Sequence, residues 1–262
     1  MHKLSIFSWF GFPIPMEERF KLIKAAGFNG VLLWWSDEYA EVDGDKTLHP
    51  ELARQKGLFI ENMHTPIIRN NCLWESGIDG DVLEKRLLGC IDDCKRFEIP
   101  TAVVHITHGN NPPPYKQIGL DRIKRLVEAA ERSNVNIALE NLRRPDYLDF
   151  VFEHIHSQRL GFCYDSGHEN CYTKGTDLLT KYGSKLLALH LHDNDGTGDQ
   201  HQIPGEGLID WDTIKKKLFE ADYSGAIALE VTNEFSHNVE NRYPEIFLKR
   251  AYEAAQRLIW WE

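Results

Sequence analysis

The amino-acid sequence predicts a single-domain α/β protein, folded as a (β/α)8 barrel over residues 1–262. First, short apolar segments alternate with amphipathic segments along the whole chain, eight of each. Second, 262 residues give about 33 residues per β/α unit, near the ~250 residues typical of this barrel. Third, side chains alternate within the strands, with large aliphatic residues on one face and small or polar residues on the other.

Each predicted strand is a short apolar run followed by a segment with helical periodicity. The strands are expected at 3–10, 30–35, 58–65, 101–107, 135–142, 160–167, 185–193 and 225–232. The helices are expected near 17–26, 49–56, 80–97, 117–133, 146–157, 176–182, 211–221 and 244–260. Gly27, Gly57 and Gly183 indicate helix ends, because glycine readily adopts the left-handed conformation that terminates many helices.

Alternation within the strands favours a closed barrel over a doubly wound open sheet, which has the same order of strands and helices. In the fifth strand, Ile137 and Leu139 face one way, whereas Ala138 and Glu140 face the other. An open sheet covered by helices on both faces would be apolar on both. In the seventh strand, the residues expected to point outward are Leu187, Leu189 and Leu191, and those expected to point inward are Ala188, His190 and His192.

Charge and composition disfavour several classes of protein. The chain has 40 acidic and 30 basic residues, a formal net charge of −10. This excess disfavours nucleic-acid and anionic-membrane partners, which need a basic surface. No uncharged apolar run reaches the ~18–20 residues that span a bilayer. The five cysteines, an odd number, favour reduced thiols.

The apolar segment at 4–16 is interpreted as the first strand and not as a secretory signal. Pro13 and Pro15 interrupt it, and no small-residue cleavage pattern follows. Together with the cysteine count, this predicts a cytoplasmic protein. The sequence makes no prediction of oligomeric state.

Residues suited to chemistry cluster at the predicted carboxyl ends of the strands, where active sites of these barrels lie. The candidates are His64, His105, Glu140, Asp165, His168, His190 and Glu230, with Asp199 and His201 in the loop after the seventh strand. Each also has a structural interpretation: His64 could cap a turn, and Asp165 could cap a helix. Several carboxylates at one mouth would repel one another without a cation, so the set together predicts a metal site.

The mixture of carboxylates and imidazoles suits Zn²⁺, Mn²⁺ or Co²⁺, whereas an all-oxygen site would favour Mg²⁺ or Ca²⁺. Among other residues near the strand ends, Trp9 and Trp34 are candidates for stacking on a substrate, with packing at the rim as the alternative. Arg143 is a candidate for binding a phosphate or carboxylate, with a solvated surface position as the alternative.

Seven motifs together resemble the xylose isomerase-like TIM-barrel superfamily of sugar isomerases and epimerases, which also includes endonuclease IV. They are HTP (64–66), VVH (103–105), ALENL (138–142), YDSGH (164–168), HLHDN (190–194), DQHQIPGEGLIDW (199–211) and ALE (228–230). The resemblance implies the barrel fold and a small-molecule sugar substrate.

In the isomerase and epimerase members, the resemblance implies one divalent metal, Mn²⁺, Co²⁺, Zn²⁺ or Mg²⁺. Its ligands would be Glu140, Asp165, His190 and Glu230. Glu140 and Glu230 would also be the acid/base groups on opposite faces of the substrate, and His168 would lie beside the substrate hydroxyls. Endonuclease IV binds three Zn²⁺, and its additional ligands correspond to His64, His105, His168, Asp199 and His201.

The chain departs from both branches. Well-characterised ketose epimerases have an arginine after the strand-seven motif, and this chain has none at 194–197. It is shorter than endonuclease IV, acidic, and without evident basic loops for DNA. We therefore expect a metal-dependent isomerase or epimerase. The alternatives are a trinuclear-zinc phosphodiesterase, a non-catalytic metal-binding barrel, and another metal-assisted reaction such as dehydration.

Overall fold

The computed structural model describes residues 2–236 and 238–259, and its centre is a barrel of eight parallel strands. The strands are β1 (Leu4–Phe7), β2 (Gly30–Trp34), β3 (Phe59–His64), β4 (Thr101–Val104), β5 (Asn136–Glu140), β6 (Leu160–Asp165), β7 (Leu186–His190) and β8 (Ile227–Leu229). All eight lie within the segments predicted from the sequence.

Strand pairing closes the barrel. Each strand from β1 to β7 pairs in parallel with the next along the chain, and β1 also pairs with β8. A parallel bridge between Leu191 and Leu229 joins the ends of β7 and β8. The predicted (β/α)8 barrel is confirmed, and the doubly wound sheet is excluded because the two end strands of the sheet, β7 and β8, meet at this bridge.

Ten α-helices surround the strands in the described residues. They are α1 (Met16–Ala26), α2 (Ala40–Asp43), α3 (His49–Gln55), α4 (Ile78–Arg96), α5 (Gln117–Ser133), α6 (Asp146–His154), α7 (Ser166–Tyr172), α8 (Leu178–Tyr182), α9 (Trp211–Glu220) and α10 (Pro244–Arg257). Eight of them match predicted helices, and α2 and α7 are additional. Residue 260, the predicted end of the last helix, lies outside the described residues.

The sixth strand is shorter than predicted, because α7 begins where the strand was expected to continue. The Asp165 carboxylate accepts a hydrogen bond from the backbone N–H of His168 at 2.6 Å. This N-cap satisfies a helix donor that would otherwise be unpaired, so Ser166 and Gly167 belong to α7. His168 is consequently on the first turn of a helix and points back over the barrel mouth.

The barrel interior is packed with small side chains, as the alternation predicts. Val103, Ala138, Cys163 and Ala188 form a buried inner cluster, whereas the large aliphatics of β5 pack in the main core towards the helices. One expectation is wrong: the half-buried Leu187 packs against the inner cluster.

A β-bulge explains the position of Leu187. Phe162 pairs with Leu186 and Cys163 pairs with Ala188, so Leu187 has no partner on β6 and the alternation is interrupted there. Elsewhere on the molecule, all five cysteines are free thiols, and no described helix is long and apolar enough to cross a membrane.

Candidate active site

The carboxyl ends of the strands place the candidate residues in one pocket. His64, Glu140, Asp165 and His190 are the last residues of β3, β5, β6 and β7. His105 and Glu230 immediately follow β4 and β8, His168 lies in α7, and Asp199 and His201 lie in the loop after β7. All nine candidates therefore meet at the barrel mouth, and seven are buried, the exceptions being Asp199 and His201.

The Glu140 carboxylate is the centre of the site. Its Oε2 atom lies 3.1 Å from His105 Nε2, 3.2 Å from His190 Nδ1 and 3.5 Å from His64 Nε2. Its Oε1 atom lies 3.2 Å from His168 Nδ1. Four imidazoles thus surround one fully buried carboxylate.

One group of four side chains has the composition and spacing of a divalent-metal site. Each residue offers one ligand atom, and these atoms lie within 4.8 Å of one another in Glu140, Asp165, His190 and Glu230. The Nδ1 atom of His190 lies 3.3 Å from Glu230 Oε2 as well as close to Glu140. Three carboxylates and one imidazole are donors that Zn²⁺, Mn²⁺ and Co²⁺ accept.

Backbone carbonyls orient three of the histidines. A carbonyl can only accept a hydrogen bond, so the Nδ1 atom that contacts it carries the proton and Nε2 has the free lone pair. These contacts join His64 to Thr65 (2.8 Å), His168 to Asn141 (2.9 Å) and His201 to Glu230 (2.8 Å). In each neutral imidazole, Nε2 is therefore prepared to bind a cation.

A second group of donors surrounds Asp199. The Nε2 atom of His168 lies 3.1 Å from Oδ2 of Asp199, and the Nε2 atoms of His192 and His201 each lie 3.4 Å from Oδ1. The rings of His192 and His201 stack with centroids 4.1 Å apart. The ligand atoms of Asp165, His168 and His192, and those of His192, His201 and Glu230, lie within 4.8 Å of one another, and such donors suit Zn²⁺.

His192 is a site residue that the sequence analysis did not select. Its Nε2 atom lies 3.0 Å from Asp165 Oδ1 and thereby links the two groups of donors. Its ring is completely buried, and a Cβ atom at Gly167 would collide with it. The predicted inward orientation two residues after His190 was the signal that could have identified it.

The carboxylates shift the pKa values of the histidines in the metal-free chain. Burial alone would lower the pKa of His201, but Asp199 and Glu230 outweigh burial and raise it to about 10. Burial opposed by neighbouring carboxylates likewise raises the pKa of His168 and of His190. Burial and then His105 lower the pKa of His64 to about 4.

The neighbouring histidines lower the pKa values of the carboxylates. Burial favours protonation of Glu230, but the charge of the adjacent His190 lowers its pKa to about 2. The pKa of Glu140 is also lowered, because His105 and His190 outweigh its burial. Both acids are therefore ionised at neutral pH, as metal ligands must be.

Unsatisfied atoms indicate that these residues fit a metal ion. Among the described atoms, both oxygens of Glu140, Nε2 of His105, Nδ1 of His190 and Oδ1 of Asp199 are buried without a hydrogen bond. Buried polar atoms normally have partners, and such a set converging on one region is costly unless a cation binds there. The donor set therefore fits one divalent metal, with further donors beside it.

The pocket above these donors is a cavity of about 340 Å³. Trp9 and Trp34, the two candidates for stacking on a substrate, line it. Arg143 is not among the lining residues, and its guanidinium lies 3.7 Å from the centre of the Tyr172 ring. Lining residues that the sequence analysis did not select include Glu38, Tyr39, Thr232, Glu234 and Phe235.

Comparison with known families agrees with this architecture. The family model described as xylose isomerase-like TIM barrel matches residues 20–251. An uncharacterised protein from Sinorhizobium fredii is 33% identical over 132 residues, 48% of this chain and 41% of that protein. The chain thus spans less than half the length of this curated relative.

Two further relatives have described activities. A D-psicose 3-epimerase from Enterocloster bolteae is 28% identical over 138 residues, 48% of this chain and 44% of the epimerase. A probable endonuclease 4 from Mycoplasma mycoides is 26% identical over 194 residues, 63% of this chain and 62% of that protein.

Solved structures share the fold over nearly the whole chain. An L-ribulose 3-epimerase superimposes with a TM-score of 0.74 at 15% identity, covering 98% of this chain and 96% of that one. The IOLI protein with a bound zinc atom superimposes with a TM-score of 0.73 at 17% identity, with the same coverage. At these identities the likeness shows the fold alone.

Proposed function

This chain belongs to the xylose isomerase-like TIM barrel family, and from that premise we propose that it is a divalent-metal-dependent isomerase or epimerase of a small sugar-like carbonyl compound. The observation that carries the proposal is the arrangement of two ionised glutamates at one cavity. Glu140 and Glu230 both line it, and their carboxylates lie 3.2 and 3.3 Å from the same atom, His190 Nδ1.

The chemistry requires a proton to leave and return at the carbon next to a carbonyl group. A divalent cation held by Glu140, Asp165, His190 and Glu230 would stabilise negative charge on adjacent substrate oxygens. One ionised glutamate would remove the proton, and the other, after taking up a proton from water, would deliver it to the opposite face or to the neighbouring carbon. The first outcome is epimerisation, and the second exchanges an aldose with a ketose. The first glutamate would then release its proton to water, so that both return to the ionised state.

Other residues of the cavity orient the substrate. His168 lines the cavity, and its Nδ1–H is already held by Asn141, so the ring has one orientation beside the substrate hydroxyls. Trp9 and Trp34 line the cavity with apolar surface that contacts sugar C–H groups and excludes water. Excluding water protects the deprotonated substrate from reacting with solvent.

A zinc phosphodiesterase of the endonuclease IV kind is the second candidate, and one observation favours it. Two further groups with the spacing of metal ligands lie beside the first, Asp165–His168–His192 and His192–His201–Glu230, and clustered Zn²⁺ ions activate water for phosphodiester cleavage. The net charge of −10 argues against a DNA substrate.

Sugar conversion by the Mn²⁺- or Co²⁺-loaded protein tests the proposal. A panel of aldoses and ketoses is incubated with the protein and followed by NMR. We expect conversion of at least one sugar, with Glu140→Gln and Glu230→Gln each lowering kcat about 10²–10⁴-fold. Glu128→Gln, an exposed substitution on α5, is the matched control and should retain activity.

An abasic-site duplex separates the candidates. Cleavage of this duplex by the Zn²⁺-loaded protein, without conversion of any sugar, would replace the first candidate with the second. Metal binding with neither reaction would instead favour the two remaining alternatives, a non-catalytic barrel or another metal-assisted reaction such as dehydration.

A further inference from the structure

The outer half of the cavity has an acidic rim that the proposed proton transfer does not use. Glu38, which precedes α2, and Glu234, which follows β8, both line the cavity and are exposed. Neither carboxylate forms an ion pair with a lysine or arginine within residues 2–236 and 238–259. The lysine nearest in sequence to Glu38, Lys46, is paired with Asp37 at 2.7 Å.

Among the described residues, the cavity wall offers no lysine or arginine to a phosphorylated substrate. Five acids line it instead. The nearby Arg19 is completely buried and paired with Asp43 at 2.7 Å. Phosphate groups are usually bound by arginine, lysine or a free helix N-terminus, and the N-terminus of α7 is already capped by Asp165.

Aromatic rings complete the rim between the two acids. Trp9 and Tyr39 stack with centroids 3.9 Å apart, and the Trp9 indole N–H donates to Glu234 at 3.0 Å. Burial, and then the charges of Glu38 and Glu234, raise the pKa of Tyr39, so both carboxylates act on the same ring. Aromatic faces beside carboxylates are the surroundings in which proteins bind organic ammonium groups.

Two unpaired polar groups deeper in the cavity indicate a ligand with hydroxyl groups. Thr232 is only 6% exposed, it lines the cavity two residues after Glu230, and its hydroxyl has no hydrogen-bond partner in the described structure. The indole Nε1 atom of Trp34, also in the lining, is buried and unpaired in the same way. A bound substrate would supply the missing partners.

We infer that the substrate is an unphosphorylated sugar-like compound that carries an ammonium group, with its hydroxyls at Thr232 and Trp34 and its ammonium group between Glu38 and Glu234. This inference rests on the proposed function, because it places the reacting carbonyl group at Glu140 and Glu230. One divalent cation would offset only two of the five lining acids, so the metal-loaded rim remains acidic.

Calorimetric binding of polyols tests this inference separately from catalysis. A hexitol, a 1-amino-1-deoxyhexitol and a hexitol phosphate have no carbonyl group, so the metal-loaded protein can bind but not convert them. We expect the amino compound to bind about fivefold more tightly than the neutral hexitol, as two solvent-exposed carboxylate–ammonium pairs allow. The preference should decrease in high salt.

Substitutions test which residues cause the preference for the amino compound. The double substitution Glu38→Gln/Glu234→Gln should remove the preference for the amino compound, whereas Glu41→Gln, an exposed acid of α2 outside the cavity, should retain it. Thr232→Val should weaken binding of the amino and neutral polyols by the same factor, since it removes a hydrogen bond that both make.

The possible failures are distinguishable. Equal binding of the neutral and amino polyols, tighter binding of the phosphate, or an unchanged preference in the double variant would each overturn the inference. Preferential binding of the amino polyol together with an absence of any sugar conversion would refute the proposed function and leave the binding site standing.

Discussion

The imidazole of His192 lies 3.0 Å from the carboxylate of Asp165, and this contact connects the two groups of candidate metal ligands in the barrel mouth. The same Nε2 atom lies 3.4 Å from Asp199. A change at His192 should therefore affect the metal donors on both sides, although neither Glu140 nor Glu230 contacts it among the described ion pairs.

Replacing His192 tests whether the second donor group binds metal. We expect His192→Asn to lower metal affinity about 10–100-fold and to reduce the amount bound after dialysis, measured by elemental analysis. His154→Asn, an exposed histidine on α6, should bind as much metal as the original protein. Unchanged stoichiometry and affinity in His192→Asn would mean that His192 only fills space.

Because α7 lies close to the loop after β7, we predict that a larger residue at Gly167 lowers the stability of the protein. A methyl group at Gly167 would collide with the buried His192 ring, so Gly167→Ala should lower the free energy of unfolding by about 1–3 kcal/mol. Gly89→Ala, in the exposed middle of α4 with no atom near the new methyl group, should raise it by about 0.5–1 kcal/mol. Urea unfolding measures both, and equal effects would contradict the predicted collision.

The histidine pKa values predict how the stability of the metal-free protein changes with pH. The folded chain holds a proton on His201 up to about pH 10, whereas the unfolded chain releases it near 6.5, and His168 and His190 shift in the same direction. The folded state therefore binds more protons above pH 6.5, and its stability is lost as pH rises towards 10.

Urea unfolding between pH 6.5 and 9 in the presence of a chelator measures this loss. The metal-saturated protein should show a weaker dependence, because metal and proton compete for the same nitrogens. A metal-free stability that is constant or rises over this range would contradict the assignment.

Metal removal should also lower thermal stability. A metal that binds only the folded chain at a free concentration of 100 times its Kd adds about 2.7 kcal/mol. For a chain of this size, that corresponds to a rise in Tm of several degrees. Differential scanning calorimetry should show this rise in the original protein and a smaller one in Glu140→Gln. Equal rises in both would place the metal elsewhere.

The sequence predicted the barrel and most of the site because both follow from local patterns. The periodicity of the apolar residues predicted all eight strands. The polar residues at the predicted strand ends include Glu140 and His190, which the structure brings into contact. Their predicted roles as ligands and acid/base groups remain proposals that the experiments above test.

Features that depend on pairing between segments distant in the sequence could not be predicted from the pattern of any one segment. The bulge that turns Leu187 inward depends on the register between β6 and β7, which periodicity within one strand does not contain. The seven-residue helix α7 is too short to show a helical period. Glu38 and Glu234 lie in loops after different strands, and only closure of the barrel brings both to one cavity.

The central claim is proton transfer between Glu140 and Glu230, and conversion of a substrate in D2O tests it most directly. We predict that the product made by the metal-loaded protein contains deuterium at the carbon next to the carbonyl group, detected by NMR and mass spectrometry. We also predict that Glu140→Gln and Glu230→Gln each slow the formation of deuterated product about 10²–10⁴-fold. Product formation with complete retention of the substrate hydrogen at that carbon would contradict the account.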